Sequence, residues 1–341
     1  MKRKLLKVVL GAGLLVKLLS VMSAVGLLVL TACGAGNEGE ALVLTLGENH
    51  PEAHPVVAGH REFERLVADH TDGAITVDVF PGGVLGGEAA MLEQVQMGAT
   101  SMMRISAAML PALDEAFNAL FLPYIWDSRE SMFAVLDGEV GEYFADRLRA
   151  HGLYILAWHD PGARSFYNSV RPVYTPDDLQ GLRIRVQETA LMMDLIRFLG
   201  GSPTPIAWGE VYTAIQTGVV DGAENNWPSF ITAAHYEVAQ YFTISEHSII
   251  PEPIIINLDI WESMSTVQQE TVRQAAIAGA MHQRQVWLEQ EIVAMNQAIA
   301  SGTVVTTLSP EQRQLFTDAV APMFEQFSHI QDHIDMIRNA Q

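Results

Sequence analysis

One cysteine stands in the 341 residues, at position 33, so no internal disulfide can form. Lysine is almost as scarce. All four, Lys2, Lys4, Lys7 and Lys17, lie at the very start, and every later cation apart from histidine is arginine. Basic residues number 20 against 40 acids, a formal net charge of −20. A surface this acidic repels nucleic acid, so no nucleic-acid partner is expected. The signatures of common catalytic and cofactor sites are also missing. There is no Gly-x-Ser-x-Gly elbow, no His-Glu-x-x-His, no P-loop Lys-Ser/Thr and no dinucleotide glycine fingerprint. No cofactor is expected, and an α/β hydrolase or lyase has only scattered carboxylates to support it.

What the first 32 residues do contain is a leader. Lys2, Arg3, Lys4 and Lys7 form a basic start, and a long apolar run interrupted by Lys17 leads to Leu30-Thr31-Ala32-Cys33. Small residues before a cysteine at the end of such a run read as a lipoprotein signal peptide (residues 1–32), cut before Cys33. Cys33 would then carry lipid and anchor the protein to a membrane surface outside the cytoplasm. The alternative is an uncleaved membrane helix, because the run approaches spanning length. Residues 33–40 read as a tether. The rest, about 300 residues, is long enough to bury one large core or two smaller ones.

The stretch from Gly181 to Pro228 organises the remainder. In Arg183-Ile184-Arg185-Val186, charge alternates with hydrocarbon, so a strand turns Ile184 and Val186 to a core and both arginines away from it. A helix is predicted over about 188–199, with Leu191, Met192, Leu195 and Phe198 on one stripe, stopped by Gly200-Gly201. A second follows near 208–216, then a short strand at Val219-Val220 whose end carries Asp221, Glu224, Asn225 and Asn226. Strand-helix-strand order predicts a parallel α/β sheet, with ligands at the carboxyl ends of its strands. Arg185 and Asn225 sit near such ends. A planar guanidinium facing a cleft suits a carboxylate, and the competing reading is a surface ion pair.

Gly-Leu-Arg-Ile-Arg-Val (181–186) and Trp-Gly-Glu-Val-Tyr-Thr-Ala-Ile-Gln-Thr-Gly-Val-Val-Asp-Gly-Ala-Glu-Asn (208–225) resemble the solute-binding proteins of tripartite ATP-independent periplasmic (TRAP) transporters, the DctP-like family. Val79-Phe80-Pro81 to Leu85-Gly86 also fits that pattern. The resemblance implies a two-lobed, periplasmic-binding-protein-like α/β fold, with mixed sheets flanked by helices and a long helix bracing both lobes. It also implies a membrane permease as partner and transport driven by an ion gradient. It carries the carboxylate contact onto Arg185, a supporting cation onto Arg164, the motif asparagine onto Asn225 and a bulky aromatic onto Trp208. Arg104, Asn49 and Glu48 are expected as polyol contacts from the opposite lobe.

Read in order, the rest of the chain supplies the lobes. A strand over 41–46, a helix opened by Pro51 and running to about His70, and the alternating Ile75–Phe80 form a βαβ unit. The glycines of 82–87 before a helix at 88–97 either cradle an anion or serve as a crossover, and the crossover is the reading adopted. Strands follow at 101–106, 153–158, 164–168, 241–245, 253–258 and 304–308, with a helix over 265–299 and a last one from Pro310 to about Asn339. Asp160-Pro161-Gly162 and 246–252 are the hinge candidates. Lobe I is expected to comprise 41–162 plus 251–290, and lobe II 163–250 plus 291–341, sharing the long helix.

Two histidine pairs one helical turn apart, His50/His54 and His329/His333, fall short of the three or four ligands a closed metal site needs, so no metal is expected. Glu224-Asn225-Asn226-Trp227-Pro228 and the segments around His235 and Glu246 are similar to sugar-acid-binding members, with Trp208 and Trp227 offering flat faces to a sugar ring. The expected ligand is an organic acid, a hexuronate or related sugar acid. A C4-dicarboxylate is the alternative, and it would need a second cation such as Arg104.

Overall fold

The computed structural model describes residues 41–341. Two mixed sheets carry the fold. In the first, β1 (Leu42–Gly47), β2 (Ile75–Phe80) and β3 (Met102–Arg104) run parallel, and β4 (Leu153–His159) forms the edge beyond β10 (Glu252–Asn257), giving the order β2-β1-β3-β10-β4. β10 is antiparallel to both its neighbours. The second sheet has the order β11-β9-β5-β8-β6-β7, built from β5 (Ala163–Asn168), β6 (Arg183–Val186), β7 (Ser202–Pro205), β8 (Gly222–Asn225), β9 (Tyr241–Ile249) and β11 (Val304–Thr307). Helices flank both sheets, as expected. Among the described residues no helix is long and apolar enough to cross a membrane, and the leader and Cys33 lie outside them.

The 35-residue helix Thr266–Ala300 is the brace. At 1.5 Å per residue it is about 52 Å long. Ser265 caps it and Gln268 completes a capping box, satisfying amides that otherwise lack partners. Val272, Ala275, Ala276 and Ala280 enter the larger apolar core, while Ala294 and Ala298 enter a second one around Tyr167, Phe230 and Phe242. Helix Pro55–His70 packs on it through paired glycines. A methyl group on Gly59 would lie 2.9 Å from the Gly279 carbonyl, and one on Gly279 would lie 2.7 Å from the Gly59 carbonyl. Between the two core contributions, buried Gln283 accepts from the Asp160 amide (2.8 Å) and donates to the Asp160 carbonyl (2.9 Å). The crossing from β4 to β5 is thereby fastened to the middle of the long helix.

Several sequence expectations shift, each for a local reason. The first long helix starts at Pro55 with His54 as its cap, because residues 51–54 turn first. Phe198 is 37% exposed, and the buried stripe of its helix uses Ile196 and Leu199 in its place. Val219 and Val220 are not a strand: the ladder begins at Gly222, where a side chain would collide with the Tyr167 carbonyl at 2.1 Å. β7, Ser-Pro-Thr-Pro, carries no strand signal, and as a sheet edge it tolerates its prolines. Of the segment 246–252, expected as a hinge, only Ile250-Pro251 lies between strands, because β9 continues to Ile249 through a bulge at which Glu246 has a φ of 46°. The last predicted helix is broken at Pro322 and again near 328–330.

Candidate functional site

Three arginines are buried in the described structure, Arg104, Arg164 and Arg185, and all three line one cavity of about 500 Å³, part of it open to solvent. Each sits on a strand: Arg104 ends β3, Arg164 is the second residue of β5 and Arg185 lies within β6. Asn49, Trp208 and Asn225 line the same cavity. Six of the seven expected contacts are therefore brought together. They gather mostly at strand ends, where α/β sheets leave a crevice.

The three guanidinium groups differ in how far they are neutralised. Arg164 donates from Nε to Glu224 Oε2 (2.5 Å), from Nη2 to Glu224 Oε1 (2.7 Å) and from Nη1 to Asn225 Oδ1 (3.0 Å). Burial alone would raise the Glu224 pKa, but Arg164 beside it brings it down to about 2. Arg104 donates to Glu48 through Nε (2.9 Å) and Nη2 (2.6 Å), to Glu88 through Nη1 (2.6 Å), and to Asn49 Oδ1 through Nη2. Glu252 stands 3.5 Å from its Nη1. Arg185 is only 3% exposed, yet among the described residues no carboxylate comes within 4.0 Å of it, and its Nε donates to the Ile206 carbonyl at 2.7 Å. Burial lowers its pKa. The Trp208 ring lies 5.9 Å from its guanidinium carbon. A buried cation without a counter-ion is costly, and an anion in the cavity would supply the missing partner.

The alternation read in β6 explains this placement. Ile184 and Val186 are in the core, Arg183 is exposed and pairs with Asp221 at 2.6 Å, and Arg185 points into the cavity. Arg183 is thus the surface ion pair, while Arg185 faces the cleft.

Glu48 is the expected contact that does not line the cavity. It is fully buried behind Arg104, with both oxygens occupied by Arg104, His50 and His60. Burial would raise its pKa, but Arg104 and His50 hold it well below the ordinary carboxylate range. Trp227 is also not a ligand wall. It stacks on Phe242 at 3.5 Å in the core, and Asn226 caps the following helix. Conversely, His50, Glu88, Met109, Gln187, Glu188 and Glu252 line the cavity without having been expected as ligand contacts. Glu252 opens β10 just after Ile250-Pro251, the second crossing between the two sheets, and the strand predicted from 253 was the available signal.

The glycine loop makes no anion cradle. Its Gly82 amide donates to the His50 carbonyl and its Gly83 amide to the Glu48 carbonyl, which leaves it as a crossover that holds the β1 loop. His50 and His54 stack at 3.9 Å, and His54 reaches Ser229 Oγ at 3.2 Å. His329 faces Glu115 and His333 faces Tyr143. Among the described residues no group of three or more His, Cys, Asp or Glu side chains could hold a metal ion.

The profile of bacterial extracellular solute-binding protein, family 7 (DctP), matches residues 46–330. The chain belongs to this family. It is 36% identical over 287 residues to a solute-binding protein of Chromohalobacter salexigens, covering 84% of each chain. Solved relatives include a TRAP periplasmic solute-binding protein of a Sulfitobacter species with bound β-D-galacturonate, at a TM-score of 0.84 and 34% identity over 87% of this chain and 99% of that one. Another, from Roseobacter denitrificans with bound β-D-glucuronate, has a TM-score of 0.84 and 36% identity over 87% of this chain and 99% of that one. As a family 7 member the protein is a TRAP solute-binding protein, and the two-sheet architecture with its long brace is the fold of these relatives.

Proposed function

We propose that the protein captures a sugar acid, most simply a hexuronate, between its two sheets and delivers it to the membrane permease of a TRAP transporter. The observation that carries this is Arg185, a buried guanidinium that faces the cavity with no carboxylate partner. It would receive the ligand carboxylate through two parallel N–H···O bonds. Arg164, held by Glu224, would supply a second donor, and Asn225 would orient both. Trp208 would lie against the ring, while Asn49 and Arg104 would meet the hydroxyls. The bound uronates of the two solved relatives support this assignment. No catalytic step is part of it.

In this reading lobe I is 41–162 plus 251–290 and lobe II is 163–250 plus 291–341, with Asp160–Gly162 and Ile250-Pro251 as the hinges. Closure around the ligand excludes water and strengthens its ionic bonds. Cleavage before Cys33 and lipidation there would keep the receptor beside its permease. Palmitate labelling that is unchanged in Cys33→Ser would refute that part.

The receptor reading is tested by thermal-shift measurement of the purified protein with glucuronate, galacturonate, gluconate, succinate, malate, amino acids and zinc. A ligand that binds only the folded state raises the melting temperature, by about 2.7 kcal/mol of stabilisation at a hundred times its Kd. A rise with glucuronate or galacturonate is expected. No rise with any organic acid would refute the reading, and a rise with succinate or malate alone would move it to C4-dicarboxylates.

A further inference from the structure

The cavity is electrically lopsided. On the second-sheet wall, Arg164 is neutralised by Glu224 and Arg185 is left unpaired. On the first-sheet wall, one guanidinium, Arg104, is faced by three carboxylates: Glu48 at 2.6 Å, Glu88 at 2.6 Å and Glu252 at 3.5 Å. Glu48 lies behind it, whereas Glu88 and Glu252 line the cavity themselves. Glu88 is fixed in place, its Oε1 accepting from both Arg104 Nη1 and the Ser106 amide (3.0 Å). Glu252 Oε2 is buried and has no partner among the described residues.

We propose that Glu88 and Glu252 act as a charge filter, so that the cavity admits one carboxylate, at Arg185, and rejects a ligand that carries a second one at the Arg104 wall. The proposal rests on the receptor reading and narrows its substrate class to monocarboxylic polyols. A hydroxyl at this wall can donate to the unpartnered Glu252 oxygen and accept from Arg104 or Asn49. A carboxylate brings no proton for Glu252 and places a like charge beside two others, which disfavours ionised neighbours. Arg104 cannot serve as the second anion site that a dicarboxylate requires, because Glu48 and Glu88, each 2.6 Å from it, exceed its charge even without Glu252, whose carboxyl pKa burial pushes up. Sugar acids oxidised at one end are therefore accepted, and those oxidised at both ends are refused.

The test compares gluconate with glucarate, which share a carbon chain and differ in whether the far end is a hydroxymethyl or a carboxylate. Titration calorimetry, with displacement of glucuronate for weak binders, would be run on the wild-type protein, Glu252→Gln and Glu88→Gln. Glutamine keeps the size and an acceptor oxygen at each position while removing the charge. Glucuronate binding to the wild type, preference for gluconate over glucarate by tenfold or more, and a loss of at least tenfold in that preference in one of the variants are the expected results. Dividing one affinity by the other cancels any general effect of the substitution on folding or packing. A wild type that binds both acids equally, or glucuronate but neither of them, overturns the filter, as does a preference unchanged in both variants, or glucarate binding that remains unmeasurable in both. If the wild type binds glucuronate in these cases, the receptor reading stands and only the filter falls. If it binds none of the three acids, the receptor reading falls and takes the filter with it.

Discussion

Glu48 and Arg104, 56 residues apart in sequence, meet through two hydrogen bonds of 2.9 and 2.6 Å in a place where neither touches bulk water. Each is the reason the other can be charged there. Glu48→Ala removes the acceptor of two Arg104 hydrogen bonds and of those from His50 and His60, and should cost about 3–5 kcal/mol of stability, because several buried donors are left unsatisfied at once. A denaturant midpoint that stays within error of wild type would contradict this account.

Arg185 predicts the reverse pattern. Its charge is unpaired in the ligand-free protein. Arg185→Ala should leave the melting temperature of the free protein level or higher, while removing about 3 kcal/mol of ligand binding, roughly a hundredfold or more in affinity. Arg185→Lys should also bind more weakly, since an ammonium cannot present the planar fork. Calorimetry and melting curves on the same samples separate the two effects. Weak binding together with a collapsed melting temperature would mean that Arg185 is structural.

The acid limb of stability should begin near neutrality. Burial, aided by the charge of Arg185, depresses His235 from 6.5 to about 3. Between those values the unfolded chain binds a proton that the folded one does not, so stability falls as pH falls, by about 1.4 kcal/mol per unit for this one group. His54, His60, His159 and His247 are also lowered by burial and steepen the same limb. Glu224, depressed from 4.5 to about 2, adds a second fall over that lower window as its carboxylate is protonated in the unfolded chain first. Stability measured by denaturant from pH 8 to 4 should therefore be flat above about 7 and decline below it. A curve that is level down to pH 5 would show that these histidines are not held neutral.

Gly59→Ala should cost about 1–3 kcal/mol by forcing apart two helices in backbone contact. The new methyl would lie 2.6 Å from Gln283 Cβ and 2.9 Å from the Gly279 carbonyl. The long helix carries contacts to both cores, so the loss should appear in one cooperative transition and not in a separate early one. A biphasic melt would count against that.

The sequence was most informative where a physical period was strong. The alternation in Arg183–Val186 placed Arg185 in the cavity, and the capped, breaker-poor run from Ser265 gave the brace almost to the residue. It was least informative where meaning depends on which strands become neighbours. A strand starting near residue 253 is legible, but nothing local to Glu252 says that it lies beside Arg104, and nothing local to Glu48 says that an arginine 56 residues away will meet it. Both facts come from a register between segments far apart in the chain. Ser202–Pro205 was illegible for a different reason: its ladder bonds form on a sheet edge where strand propensity is not required. Trp227 was ambiguous because an aromatic beside a binding motif packs a core as readily as it faces a sugar, and only its stacking on Phe242 decides.

The place of β10 has a consequence for how the chain is made. It lies between β3 and β4, yet it is the last strand of that sheet to be synthesised. Until residue 252 is available, β3 and β4 present two bare edges to each other across a gap one strand wide, the kind of surface on which chains aggregate. The sheet therefore closes late, through contacts between distant segments, and slow folding follows from that topology. A nascent chain that ends anywhere before the second crossing is an unfinished molecule, and its neighbours, or whatever protects it from them, decide its fate.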